Sequence, residues 1–255
     1  MKRIVVILVI ILTLLGCFKK VDEEKKELLI YCGITMIKPV SEIAKIIEQQ
    51  ENCKILITKG GSGNLLKSLK TNKVGDLFLP GSDSYIKKCR EEDLIVKTTF
   101  VGYNKAALMV QKGNPKNIKA DLNTLKDKQY YVVIGNPNSG SIGKETKKIL
   151  EKKGIFEEVQ KNARELTTDS KDLISVLKNK DADLVVNWFA SSTWDENKDH
   201  VEALSINENF AKKKKLVLGL LKYSKHPEIA SKFMDYAESE TGKKLFEKYG
   251  LYNLK

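Results

Sequence analysis

Short apolar runs alternate along this chain with stretches in which apolar residues return every three or four positions. LLIYCG (28–33) precedes such a stretch over Ile37–Gln50, KILIT (54–58) one over Asn64–Lys70, and GDLFLPG (75–81) one over Asp83–Cys89. Further on, YYVVIGN (130–136) leads into a pattern over Ile142–Lys153, and ADLVVNW (182–188) follows one over Lys171–Lys178. Strand followed by helix, repeated, predicts an α/β fold with parallel-dominated sheets and helices on both faces. Two segments break the rhythm, VGYNKAALMVQ (101–111) and KLVLGLLK (215–222). They read as crossovers between two lobes, the first made of residues 27–102 and 213–255 and the second of 103–212. A cleft between the lobes follows, with hinge strands at its back.

In sheets of this kind ligands bind at the carboxyl ends of the strands, where loops lead into helix N-termini. Four such loops carry small or hydroxyl residues: GITM with Thr35, GGSGN with Gly61 and Ser62, GNPNSGSIG before a helix near Ile142, and TDSKDL before one near Leu173. Each helix start offers orphan backbone N–H groups and a partial positive charge, so four of them converging make an anion site. A Ser or Thr before a helix can also be no more than an N-cap.

The first residues set the compartment. Lys2 and Arg3 precede an unbroken apolar run from Ile4 to Leu12, then Leu14-Leu15-Gly16-Cys17. The run is shorter than the roughly 20 residues of a membrane span and reads as a secretory signal over residues 1–16. Its ending resembles a bacterial lipobox, which implies cleavage before Cys17, lipid attachment there, and a polar tether over residues 17–26. The expected location is extracytoplasmic, lipid-anchored to the cell membrane.

The formal charge of +12, less the cations Lys2 and Arg3, leaves +10 on the exported chain. Its lysines are scattered apart from Lys212–Lys215, with no aromatic-interleaved basic stripe, so nucleic acid is not an expected partner. Cys32, Cys53 and Cys89 remain after export, and Cys53 and Cys89 fall where they could pair at one end of a sheet. His200 and His226 are isolated, and the cysteine spacing matches no zinc pattern, so neither a metal site nor a cofactor is expected. Ser141 and Lys144 fit a Ser-x-x-Lys enzyme pattern, but so do Ser84 with Lys87 and Ser175 with Lys178, and the companion elements are absent. No catalytic residues are expected.

The succession LLIYCGITMIKPVSEIAKIIEQQ, ILITKGGSGNLLKSL and VGDLFLPGSDSYIKK resembles the opening lobe of the periplasmic molybdate-binding proteins of ABC transporters, a type II periplasmic-binding fold. The likeness continues through GNPNSGSIGKETKKIL, DLISVL, ADLVVNW and ETGKKLFEKYGLY, nearly the whole exported chain. It implies a monomer that captures a small inorganic oxyanion, molybdate or tungstate first and sulfate or phosphate next, and delivers it to permease subunits. An extracytoplasmic sensor using the same chemistry is the other role it leaves open.

In that family two hydroxyls, two backbone N–H groups and a tyrosine hydroxyl hold the anion. Carried over, the hydroxyls fall on Thr35 and Ser62, the backbone donors on Ile142 and Leu173, and the tyrosine on Trp188, with Asn187 beside it as the substitute. The glycines around Ser62, Gly61 among them, would let the backbone wrap the anion. Asp83 would be the carboxylate to take the proton of a hydrogen phosphate, and Lys59 and Lys144 the cations near enough in sequence to add charge.

Overall fold

The computed structural model describes residues 25–252. The expected signal peptide, Cys17 and most of the tether lie outside the described residues. One five-stranded sheet contains β1 (Glu27–Gly33), β2 (Lys54–Gly60), β3 (Leu77–Leu79), β4 (Ile95–Asn104) and β10 (Lys214–Leu221), in the order β2-β1-β3-β10-β4. The other contains β5 (Ala106–Gln111), β6 (Val132–Gly135), β7 (Glu165–Thr167), β8 (Leu184–Trp188) and β9 (Val201–Ser205), in the order β7-β6-β8-β5-β9. Two lobes result, the architecture of a type II periplasmic-binding fold.

Each sheet is parallel in one half and antiparallel in the other. β1 pairs parallel with β2 and β3, and β6 with β7 and β8. β10 runs antiparallel to β3 and β4, as β5 does to β8 and β9. In the parallel halves each strand leads into a helix or a helical turn, and those halves carry the candidate site. The late apolar run 215–222 lies almost wholly in β10, within the first sheet, so the return crossing is the polar stretch between Ser205 and Lys214. The outward crossing is the single residue Lys105, between β4 and β5.

Side chains on β1 alternate between the two faces of the sheet as the pleat requires. Leu28, Ile30 and Cys32 pack with Val40, Ile43 and Ile47 of α1 (Ile37–Glu51) and with Phe233 and Met234 of α7 (Pro227–Glu238). Phe246 of α8 (Glu240–Lys248) joins the same cluster. Tyr31 faces the other side, with Leu65 and Leu69 of α2 (Ser62–Asn72) and Ile86 of α3 (Asp83–Glu91). In the second lobe the runs Val132–Ile134 and Leu184–Val186 are buried throughout, as strands covered on both faces are. Ile149 of α4 (Ser141–Lys153), Val159 of α5 (Phe156–Asn162) and Leu177 of α6 (Ser170–Lys178) cover them.

Cys53 and Cys89 do not pair: Cys32, Cys53 and Cys89 are all free and buried. Cys53 belongs to the α1 face of the first sheet and Cys89 to the α3 face, so the sheet stands between them. Burial pushes the Cys89 thiol up to about 12 and the Cys32 thiol up as well. An unfolded thiol ionises near pH ~8.5, so above that pH the unfolded chain binds fewer protons than the folded one. This contribution to stability is fully present below the unfolded value and drains away as pH rises toward about 12. In a Cys17→Ser chain, a thiol-titrating reagent should therefore find almost no reactive thiol in the native protein and three on unfolding, with the melting point falling above pH ~9. Prompt reaction of a thiol in the native protein would contradict the burial.

Candidate functional site

The carboxyl ends of β1, β2 and β3 face those of β6 and β8 across the cleft, and the helix starts meet there. Gly33, Ile34 and Thr35 line a small cavity together with Gly60, Gly61, Ser62 and Gly81 from the first lobe. Gly140, Ser141, Ile142, Asp169, Ser170 and Trp188 close it from the second. Room for the centre of a water-sized sphere amounts to about 10 Å³. That is the space of about one water or one small ion.

The side chains are held so that hydroxyl protons remain for an occupant. Ser62 Oγ accepts the Gly81 N–H at 3.0 Å, which engages a lone pair and leaves its own proton free. Ser62 is the first residue of α2, whose N-cap is Gly61, and no side chain caps that helix. The Ser62 hydroxyl is therefore not a cap. Ser141 Oγ accepts the Trp188 indole N–H at 3.2 Å and likewise keeps a proton to give. Thr35 Oγ1 accepts from Asn104 Nδ2 at 3.3 Å and donates to the Met36 sulfur, a weak acceptor, at 3.0 Å. Asn104 also donates to the Gly81 carbonyl at 3.2 Å, so one amide positions two walls of the cavity.

Of the residues expected to meet an anion, Thr35, Gly61, Ser62, Ile142 and Trp188 line the cavity. Leu173 does not. It is fully buried in the second lobe's core, and its N–H is spent on the Asp169 carbonyl at 3.4 Å, one turn inside α6. The start of that helix presents Ser170 instead. Asn187 is fully buried behind the cavity, where it accepts from the Ser170 hydroxyl and donates to the Ser170 carbonyl at 2.9 Å. It holds the first residue of α6 in place. Trp188 aims its N–H at Ser141, so it positions that hydroxyl.

Ser141, Ser170, Gly81 and Asn104 were not among the expected site residues. Ser141 stood in the sequence beside Ile142, where a helix start one residue earlier would have singled it out. Asn104 is the last residue of the mixed strand β4, and nothing local marks it.

The charged residues divide unexpectedly. Lys59 is exposed, and Lys144 reaches away to Ser84 Oγ at 3.3 Å and to the Tyr85 ring at 5.0 Å, its ammonium pKa lowered by burial. Asp83 pairs with Lys87 at 3.2 Å and lies outside the cavity wall. The carboxylate in the wall is Asp169, which accepts from the Lys171 N–H at 2.7 Å and the Asp172 N–H at 3.4 Å as the N-cap of α6. Burial raises its pKa. Among the described residues no group of three or more His, Cys, Asp or Glu is placed to hold a metal ion, and no helix is long and apolar enough to cross a membrane.

A cleft lined by helix starts between two mixed sheets is the architecture of extracytoplasmic solute-binding proteins. The chain belongs to the bacterial extracellular solute-binding protein family, whose model matches residues 28–252. A Haemophilus influenzae protein provisionally named as a binding protein is 27% identical over 250 residues, 98% of each chain. A Bacillus subtilis protein provisionally named as an ABC transporter substrate-binding lipoprotein, YvgL, is 26% identical over 236 residues, 90% of this chain and 88% of that one.

Among solved structures, the periplasmic molybdate-binding protein of Azotobacter vinelandii superposes with a TM-score of 0.75 at 14% identity, over 88% of this chain and 98% of that one. The sulfate-binding protein SubI of Mycobacterium tuberculosis gives 0.76 at 15% identity, over 89% and 86%. A periplasmic thiamin-binding protein gives 0.75 at 18% identity, over 91% and 84%. At these identities the likeness is one of fold. The family is one of binding proteins, which work with the permease subunits of ABC transporters.

Proposed function

We propose that this chain captures a single tetrahedral oxyanion, molybdate or tungstate before sulfate, between its two lobes and hands it to an ABC permease from a lipid anchor at Cys17. The observation that carries this reading is the cavity itself: small, and walled by helix starts with hydroxyl protons to spare and no cationic side chain. Preorganised neutral donors and helix ends spread positive potential over all four oxygens of a deprotonated anion. Ser62, Ser141 and Thr35 give hydroxyl protons, and the N–H groups at the starts of α4 and α6 give backbone donors. An oxyanion outcompetes the Met36 sulfur for the Thr35 proton. A cavity of this size does not admit a thiamin-sized molecule, since organic ligands of that size occupy pockets of ~300 Å³ or more.

Hydrogen phosphate is the second reading, favoured by Asp169, whose carboxylate could take the ligand's proton. Titration calorimetry against molybdate, tungstate, sulfate and phosphate tests both. Micromolar or tighter binding of a deprotonated anion, little changed in Asp169→Asn, supports the first reading. Phosphate binding that collapses in Asp169→Asn supports the second. Binding of none below millimolar concentration overturns the oxyanion reading.

A further inference from the structure

The glycines around Ser62 do more than bare a loop for a ligand. A Cβ on Gly61 would stand 2.5 Å from the Ser139 carbonyl oxygen and 2.8 Å from that of Thr168, both in the second lobe. A Cβ on Gly63 would stand 2.5 Å from the Asn138 carbonyl oxygen and 3.0 Å from that of Ser139. The N–H groups of Gly63 and Asn64 both donate to the Ser139 carbonyl, at 3.0 and 3.2 Å. The Ser139 hydroxyl donates in turn to the Thr168 carbonyl at 2.8 Å, tying together the two second-lobe loops that α2 meets. Two of the orphan donors at the start of α2 are thus spent on the opposite lobe and are not available to a ligand.

We propose that Gly63, with Gly61, and the Ser139 carbonyl form a latch that closes the lobes. It sets the fraction of molecules in the closed state, and through that fraction the apparent affinity. The inference rests on the two-lobed binding reading but does not depend on which anion is bound. Any side chain at position 63 must push the Asn138–Ser139 backbone away by several tenths of an ångström or more. The two N–H bonds then stretch beyond useful length.

Gly63→Ala tests the latch because local and interlobe effects have opposite signs. Position 63 is helical with no left-handed backbone requirement, so alanine favours the helix of the separate lobe. The native chain and Gly63→Ala, each with Cys17→Ser, carry spin labels at the exposed positions Lys67 and Lys171, on α2 and α6. Interlobe distances are measured without ligand and with saturating molybdate or sulfate.

The expected result is a closed population at least tenfold smaller relative to the open one in Gly63→Ala. A thermal midpoint of the ligand-free protein that is not lowered accompanies it. Where an anion of the panel binds the native chain, its affinity falls at least tenfold in Gly63→Ala, chiefly through faster release. Equal closed populations in the two chains, or no closed population in the native chain under any condition, overturns the latch. Loss of the closed population in Gly63→Ala with no anion bound by the native chain leaves the latch standing and removes the oxyanion reading alone.

Discussion

Trp188→Ala should destabilise the protein by about 3–5 kcal/mol, the range for emptying a large buried side chain. Trp188 is 1% exposed, among the largest fully buried side chains, and it ends a strand whose residues are all buried. Two of its neighbours resist collapse into the void, since Asn187 is pinned to Ser170 and Gly81 lies against the indole nitrogen. Urea unfolding of the two proteins measures the loss, and a change under about 1 kcal/mol would mean that the indole is not packed as described. Trp188→Phe separates packing from hydrogen bonding: it keeps most of the volume but leaves Ser141 without its donor. A neutral hydrogen bond contributes about 0.5–1.5 kcal/mol, so anion affinity in this variant should drop by no more than about tenfold.

Ser62→Ala should weaken anion binding by one to two decades. A hydrogen bond to a charged partner contributes about 1.5–3 kcal/mol, which is that range of affinity. The substitution also leaves the buried Gly81 N–H without its acceptor, so the ligand-free protein should lose about 1–3 kcal/mol of stability. Stability loss alone does not test the site, since the Gly81 contact predicts it whether or not an anion binds. The calorimetric dissociation constant decides: unchanged affinity would remove Ser62 from the binding set. Thr35→Val should behave similarly, while Lys213→Ala, exposed in the lysine run, should change affinity weakly and only at low salt.

The two-lobed fold was legible because its signals are local and periodic. Fully apolar runs such as Val132–Ile134 announce strands covered on both faces, and Leu173, Ile174 and Leu177 announce the buried stripe of α6. The same stripe places Leu173 in the core: a residue spaced for the core has its N–H inside the helix ladder, and it is Ser170, three residues earlier, that lines the cavity. β7 and β9 are short and partly exposed, so alternation within them is too brief to register. Asn104 reaches Thr35 from 69 positions away, and no pattern along a chain encodes such a pairing. The role of Gly63 needs the second lobe's backbone to be seen at all.

Asn104 is also the last residue of β4, directly before the single residue Lys105 that leads into the other sheet. The amide that aims the Thr35 hydroxyl and braces Gly81 is therefore mounted beside the outward crossing between the lobes. On the proposed function, lobes that open at that point would turn the amide, and grip on an occupant would weaken with the angle of opening rather than after it. On the same reading, a permease that parts the lobes would meet a site already loosened by the parting, so unloading would cost less than tearing an ion from a fully set cradle.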